Sequence, residues 1–215
     1  MATVDLSSLL KGRVGELVFR TYRGKLIAQS RPTQYHDRNS EAQQKQRGGM
    51  RNLIAMYKCM RNDIRDCFEE ATGKQRPYNR FIHHNIKMQT PVLSKKDYDF
   101  HRLIPLPYII SNGTLPPLDT TIDGNIIRFT INYKDWERDD IIRFIEFTTE
   151  SIDSSPTGKY SCRHDDVIIT HPTGQVIERE LTHTGLYAFV HIRLFGGIRK
   201  ISTQSLIPYS ATPLP

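Results

Sequence analysis

The spacing of the apolar residues changes near residue 100, and this change constrains the fold more than any other feature of the sequence. Between residues 50 and 71, apolar side chains recur every three or four positions, which is the period of one helix face. From residue 125 onward they alternate with polar residues in short runs that end at turn residues, as half-buried strands do. The sequence therefore predicts an α+β protein in which helices precede the main β-structure.

A β-hairpin is predicted ahead of these helices. Its first strand, RVGELVFRTY, covers residues 13–22 and its second, KLIAQS, covers 25–30, with a turn at 23–24 where glycine permits a positive φ. A continuous first strand places Val14 and Leu17 on opposite faces. A lone two-stranded hairpin is only marginally stable in water. We therefore expect this hairpin to lie on its own helix, on a sister subunit or on another partner.

Two helices are predicted after an extended connector at residues 30–39. The first begins at Ser40, which opens a capping-box pattern, and can end at Gly73. Residues 48–49 are both glycine and mark either a kink or a close approach of another backbone. The second helix begins at Pro77, because the fixed φ of proline suits a first helical turn. The two helices are expected to form a short hairpin.

The C-terminal half is predicted to be all β. Six or more short strands separated by turn residues are typical of an antiparallel sandwich of the immunoglobulin or fibronectin kind. The proline-rich stretch at residues 103–118 is predicted to be a linker or an edge strand. We accordingly divide the chain into a basic hairpin with two helices, residues 1–100, and a β-sandwich domain, residues 101–215.

The excess of positive over negative charge lies in the first part of the chain. Residues 1–90 contain 17 Lys and Arg against 8 Asp and Glu, a balance of +9, whereas residues 91–215 contain 13 against 15, a balance of −2. Such an asymmetry indicates different partners or environments for the two halves. The candidate residues for binding a partner or a nucleic acid are Arg13, Arg20, Tyr22, Arg23, Lys25, Arg31, Arg38, Lys45, Arg47 and Arg51.

Three interpretations of this basic hairpin and helix remain open. The first is a surface for the phosphate backbone of DNA or RNA, since a two-stranded ribbon is thin enough to enter a groove. The second is an arm that docks on an acidic neighbour in a protein assembly. The third is a charged face that only contacts solvent. Tyr22 and Tyr35 are the interleaved aromatic residues, too few to support a platform for base stacking.

No set of residues in the sequence converges on a recognisable chemistry. Three cysteines, at positions 59, 67 and 162, make no disulfide framework and are expected to be small buried residues. His83 and His84 are adjacent and point about 100° apart on a helix, which does not suit one metal. A hydrolytic site near Cys162, His164 and Asp165 is weakened because neighbouring strand positions face opposite sides. We predict no enzyme, no cofactor and no metal.

Membrane insertion and secretion are also not predicted. No apolar run reaches the roughly 18 residues that a membrane span needs. The first residues lack the charged and then apolar pattern of a signal peptide. We expect a protein that is cytoplasmic or packaged in a virion and that has no membrane partner.

The first 90 residues resemble a family of small proteins from bacteria and their phages. The resemblance is carried by two glycines before a Gly-Lys turn, an Arg/Pro exit, a helix rich in Gln and Arg, a Tyr-Asn before a second helix and an entry into a β domain; these are Gly12, Gly15, Gly24-Lys25, Arg31-Pro32, EAQQKQR at 41–47, YNRFIHHN at 78–85 and SNGTLPP at 111–117. The family has no established activity, and its members often look like phage or prophage structural proteins.

Charge, layout and resemblance together lead to one functional expectation. The chain is expected to be a non-enzymatic structural or interaction protein, an oligomeric subunit of a virion, a prophage or another multi-protein assembly. It is expected to dock on other protein subunits through a basic N-terminal arm. The alternative is a DNA- or RNA-binding protein that uses the same hairpin and helix.

Overall fold

The chain forms two compact units, Met1–Ser40 and Glu41–Pro215. The computed structural model describes residues 12–23, 25–31, 37–69, 76–88, 91–130, 137–149, 157–169 and 176–211.

The N-terminal unit contains a sheet of three strands rather than a two-stranded hairpin. Its strands are ordered β1-β2-β3 and all neighbours are antiparallel. They are β1 (Gly12–Val14), β2 (Leu17–Tyr22) and β3 (Lys25–Ser30).

The predicted continuous strand over 13–22 is wrong, because a second turn interrupts it at Gly15 and Glu16. Gly15 has a φ of 59°, a conformation that glycine adopts without a steric penalty. A glycine at the first central position is typical of a two-residue hairpin turn. This turn pairs Val14 with Leu17, so the two side chains share a face instead of lying on opposite faces.

The second unit contains three helices. The predicted second helix is confirmed at Pro77, and the first begins at Glu41, directly after the predicted cap Ser40. The first helix ends at Met60, well before Gly73, which lies outside the described residues. A short third helix, which the sequence analysis missed, has its N-terminus capped by the Ser94 hydroxyl. The helices are α1 (Glu41–Met60), α2 (Pro77–Asn85) and α3 (Lys95–Asp99).

The strands of the second unit form a central sheet and two smaller ones. The central sheet has the order β11-β10-β7-β8, with β13 also paired to β10, while β5-β6-β9 forms a second sheet and β4 pairs with β12. The strands are β4 (Ile109–Ser111), β5 (Thr120–Asp123), β6 (Ile126–Thr130), β7 (Asp140–Thr149), β8 (Tyr160–Ile169), β9 (Val176–Glu180), β10 (Gly185–Phe195), β11 (Ile198–Ile201), β12 (Gln204–Ser205) and β13 (Ile207–Tyr209). The α+β prediction is confirmed at this level, since every named strand pair is antiparallel.

Two separate cores lie on the two faces of the central sheet. Alternate residues of β7 and β10 point to each face, because successive strand side chains alternate. On one face, side chains such as Ile145 and Val190 pack with Met56 and Met60 of α1. On the other face, Phe144 packs with the second sheet around a largely aromatic core. The second unit therefore has three layers, with helices, the central sheet and the second sheet in that order.

The stretch predicted as a linker or an edge strand, residues 103–118, is part of the first core, and Ile109–Ser111 within it forms the edge strand β4. Leu103, Tyr108 and Ile110 are buried there together with α1 and β10 side chains. A buried asparagine side chain in α1 and another in α2 hold this stretch through hydrogen bonds. Asn52 accepts from the Ile104 N–H at 2.8 Å and donates to its carbonyl at 3.0 Å, and Asn85 bonds Ile109 in the same two ways.

The predicted domain boundary at residue 100 differs from the division that the structure makes. The apolar stripe of α1, including Leu53 and Met56, is buried against strands of the C-terminal half. Because the helices and the central sheet share one core, they belong to one compact unit. The division falls instead between Ser40 and Glu41.

None of the helices in the described part of the chain has the length and apolar character required to cross a membrane.

Candidate interaction surfaces

One face of the N-terminal sheet carries the basic residues of the hairpin. The cross-strand pairs Arg13–Val18, Arg20–Ile27 and Tyr22–Lys25 place these six side chains on the same side of the sheet. We call this side the basic face. Arg13, Arg20 and Lys25 have no carboxylate partner among the described residues. The basic face therefore presents three uncompensated positive charges.

The opposite side of the same sheet is apolar. The pairs Val14–Leu17 and Phe19–Ala28 lie on this side, and Leu26 lies there opposite Thr21. We call this side the apolar face. Val14 is 63% exposed and Leu17 is 44% exposed. The sheet is thus amphipathic, with charge on one side and unburied hydrocarbon on the other.

None of the described residues of the N-terminal unit is fully buried. Phe19, Leu26 and Ile27 are half-buried, and every other described residue of the unit is exposed. Hydrocarbon left exposed on one face of a small sheet is unfavourable in water, and contiguous exposed apolar patches commonly mark interaction sites. The described residues of the unit provide no core for this face, so we expect the apolar face to be covered.

The remaining basic candidates of this unit lie around the sheet. Arg23 lies in the β2–β3 turn with a φ of 51°, and its guanidinium lies 5.3 Å from the centre of the Tyr22 ring. Arg31 follows β3, and its backbone N–H donates to the Glu16 carbonyl at 2.8 Å. Arg38 is exposed in a stretch without regular structure. Tyr35 and Pro32 lie outside the described residues.

The three candidates on α1 belong to the second unit and are not equivalent. Lys45 and Arg47 are exposed and line a cavity of about 470 Å³ whose other walls include Met50 and Leu53. Arg51 is half-buried, and its guanidinium donates to the Leu93 carbonyl at 3.1 Å. Arg51 thus holds the segment before α3 in place.

The cluster near Cys162 is split by the alternation of β8, as the sequence analysis expected. Cys162 and His164 face the helical layer, whereas Asp165 faces the other side and pairs with Arg179. A carboxylate that the sequence analysis missed, Asp63 after α1, lies 2.8 Å from His164 Nδ1. Asp63 is 101 residues away in sequence, so no local spacing pointed to it.

The thiols of this region are poor nucleophiles. Burial raises the pKa of Cys67 to about 12, although the guanidinium of Arg143 partly opposes this effect. Burial also raises the pKa of Cys162 strongly, and the nearby carboxylate of Asp63 raises it further. Because the thiolate is the reactive form, both groups are protonated and unreactive near neutral pH.

The adjacent histidines of α2 have packing partners. The ring of His84 is stacked on Phe68 at a centroid distance of 6.5 Å, and burial lowers its pKa, with His83 and Arg80 adding to the effect. Within the described residues, no three His, Cys, Asp or Glu side chains are arranged to hold a metal ion.

A second cavity contains polar residues that the sequence analysis did not single out. It measures about 400 Å³ and lies between α1 and α3. The Lys58 ammonium donates to the Tyr98 hydroxyl at 2.6 Å and lies 4.8 Å from the centre of the Tyr98 ring. Lysine and tyrosine 40 positions apart give no local signal, so only the fold brings them together.

Comparisons with known proteins do not assign this chain to a group: no family model matches it, and neither a curated protein nor a solved structure was found to be similar.

Proposed function

We propose that the protein is a non-enzymatic structural subunit of a multi-protein assembly, and that its N-terminal sheet is the arm that docks on a neighbouring subunit. The observation that carries this proposal is the three-stranded sheet without a buried side chain. A chain gains nothing by ordering an apolar face that stays in water, so the face is expected to be covered by a partner. The resemblance of the first 90 residues supports an assembly of the phage or prophage kind.

Several features of the second unit support a non-enzymatic role. Both buried thiols have raised pKa values. Asp165 faces away from Cys162 and His164, and so does not complete a nucleophile with its base and orienting group.

The two stacked sheets also support grouping this unit with immunoglobulin- or fibronectin-like sandwiches. In this chain the outer face of the central sheet carries a helical layer that such sandwiches do not need.

The proposed arm is tested by the mass of the protein in solution. Light scattering on the full chain and on a variant lacking residues 1–38 identifies the neighbour: a larger assembly for the full chain alone means a second copy, and equal masses mean a different subunit. The deletion should leave the thermal transition of the second unit unchanged, because among the described residues the hydrophobic side chains of its two cores begin at Met50. Equal masses for both proteins would contradict self-assembly, and a lowered melting temperature would contradict the division into two units.

Nucleic-acid binding is the second candidate, and the basic face favours it. Three cations on one side of a thin ribbon, without a carboxylate among them, can contact successive phosphates. In a gel-shift titration with random duplex DNA, three such contacts predict a slope of about −3 for the logarithm of affinity against that of salt. Absence of a shift at low salt would remove this candidate.

A further inference from the structure

The outer edge of β3 is an open site for pairing with another strand. The Arg31 N–H bonds the Glu16 carbonyl, and hydrogen-bonded pairs alternate with non-bonded pairs along an antiparallel ladder. The β3 residues whose backbone groups hydrogen-bond to β2 are therefore Lys25, Ile27 and Gln29. It follows that the backbone N–H and C=O groups of Leu26, Ala28 and Ser30 point away from β2.

Nothing in the described part of the chain pairs with these outward groups, and the strand has no feature that protects an edge. After Lys25, residues 26–30 contain no charge, no proline and no bulge. The longest edge strand of the second unit differs, because residues 163–166 of β8 are Arg, His, Asp and Asp. Charged residues on an edge discourage pairing with other chains. Of these two edges, only β3 is suited to accept a strand.

The two faces of the sheet determine what such a strand must contain. A strand added beside β3 extends the apolar face next to Leu26 and Ala28, and the basic face next to Lys25 and Ile27. Residues on the first side must be apolar to cover the exposed hydrocarbon. Residues on the other side lie beside Lys25, with Arg20 one strand further away, and carboxylates are the natural partners of these cations.

We propose that the β3 edge binds an extended segment of a partner protein in which apolar and acidic residues alternate. This inference rests on the proposed function of the N-terminal sheet as a docking arm. Within this chain, β9 is the described strand that alternates carboxylates. Its Glu178 already lies 3.2 Å from Arg128, and its Glu180 accepts from Asn125 at 3.0 Å. A different protein is therefore favoured over a second copy as the source of the strand.

The probe for this proposal is a fluorescently labelled synthetic peptide of alternating Glu and Ile, titrated with the full chain and followed by anisotropy. Two control peptides isolate the mechanism. One has the same composition with Glu and Ile in separate blocks, and the other has every second amide N-methylated so that it cannot pair with an edge. We expect the alternating peptide to bind at least tenfold more tightly than either control.

Two variants of the protein address the edge itself. Ala28→Pro removes an outward N–H while leaving the bonds between β2 and β3 in place, because Ala28 makes none of them. Ala28→Thr is the matched control, since it keeps the N–H and suits a strand. Ala28→Pro should weaken peptide binding at least tenfold, and Ala28→Thr should change it less than threefold. The double variant Arg20→Glu, Lys25→Glu should weaken binding as much as Ala28→Pro.

The outcomes separate this inference from the proposed function. Equal binding by Ala28→Pro and Ala28→Thr, or by the N-methylated and unmodified peptides, would overturn pairing at the β3 edge. If no peptide binds while deletion of residues 1–38 lowers the solution mass, the docking role of the arm is supported and strand pairing at the β3 edge is wrong. If peptide binding survives that deletion, the arm itself is wrong. Loss of a self-assembled mass in Ala28→Pro without peptide would assign the edge to a second copy.

Discussion

At the scale of single residues, the buried carboxylate of Asp140 ties β7 to β10. Its side chain is 1% exposed and lies 2.9 Å from His191 Nε2, while the guanidinium of Arg193 donates to both of its oxygens at 2.8–3.2 Å. Burial by itself raises the pKa of Asp140. Hydrogen bonds from His191, Arg193 and the Glu137 amide outweigh that effect and lower the pKa to about 2.

Replacing this carboxylate is expected to destabilise the second unit. Asp140→Asn removes the negative charge and leaves the mostly buried guanidinium of Arg193 without its buried partner, which costs about 3 kcal/mol of unfolding free energy. Urea denaturation at pH 7 measures the loss. The matched control is Asp139→Asn at the neighbouring exposed position, where a φ of 69° suits asparagine. A loss as large in the control as in Asp140→Asn would contradict this role for Asp140.

The lowered pKa of Asp140 predicts that the free energy of unfolding decreases in acid. Because its pKa is lower in the folded state than the ordinary 3.8, its contribution is complete above pH 3.8 and is lost as the pH falls toward 2. The difference in stability between the wild type and Asp140→Asn should therefore shrink between pH 4 and pH 2. A difference that stays constant over this range would contradict the lowered pKa.

At the scale of elements, the SNGT stretch at residues 111–114 connects the turn after α1 to β11. The Glu69 carboxylate accepts from the Thr114 N–H at 2.7 Å and from the Ile201 N–H at 2.8 Å. Gly113 lies beneath this carboxylate, and a Cβ there would be 2.3 Å from the Ile201 carbonyl oxygen. Glycine at this position is therefore explained by a close approach of backbone.

A methyl group at Gly113 is expected to separate these elements. Gly113→Ala forces the Ile201 backbone or the Glu69 side chain to move, and overpacking of this kind costs about 1–3 kcal/mol. Thr114→Val is a useful comparison because it removes one hydrogen bond to Glu69 without adding a clash, at a cost of about 1 kcal/mol. Thermal unfolding measures both. Stability of Gly113→Ala equal to that of the wild type would contradict the close approach.

Strands with a clear alternation of apolar and polar residues could be predicted from the sequence, and strands without it could not. The runs at 125–133, 141–149, 175–181 and 185–195 alternate or are richly apolar, and they predict strands close to the observed β6, β7, β9 and β10. The run at 165–170 predicts only the second half of β8, because residues 163–166 are charged or histidine on both faces and their partners come from distant elements. Charge pairs such as Arg143 with Asp166 stabilise these residues in place of burial.

The sequence predicts which residues belong to the candidate site, but not how they are arranged. The charge count located the basic residues, and spacing predicted the hairpin that carries four of the nine basic candidates. The extra turn at Gly15 was missed, although glycine followed by a polar residue between Val14 and Leu17 is a hairpin signal. Which side chains share a face, and which backbone groups point outward, depends on pairing register that composition does not encode.

At the scale of the whole molecule, the two units differ in how they can be stabilised. The second unit buries two cores against a shared central sheet. The N-terminal unit has no fully buried side chain among its described residues. Eight of these residues are charged, and six of the eight are basic. We infer that the N-terminal sheet gains its stability from contact with another molecule, whereas the second unit folds by itself.

Amide hydrogen exchange on the full chain without a partner tests this claim most directly. The account predicts that amides of residues 17–30 exchange within about tenfold of the rate of an unstructured chain, because local opening of a sheet without a core costs little free energy. Amides of β7 and β10 should exchange at least about 10³-fold more slowly, as expected for strands that open only with global unfolding. Protection of residues 17–30 as strong as that of β7 and β10 would contradict the account.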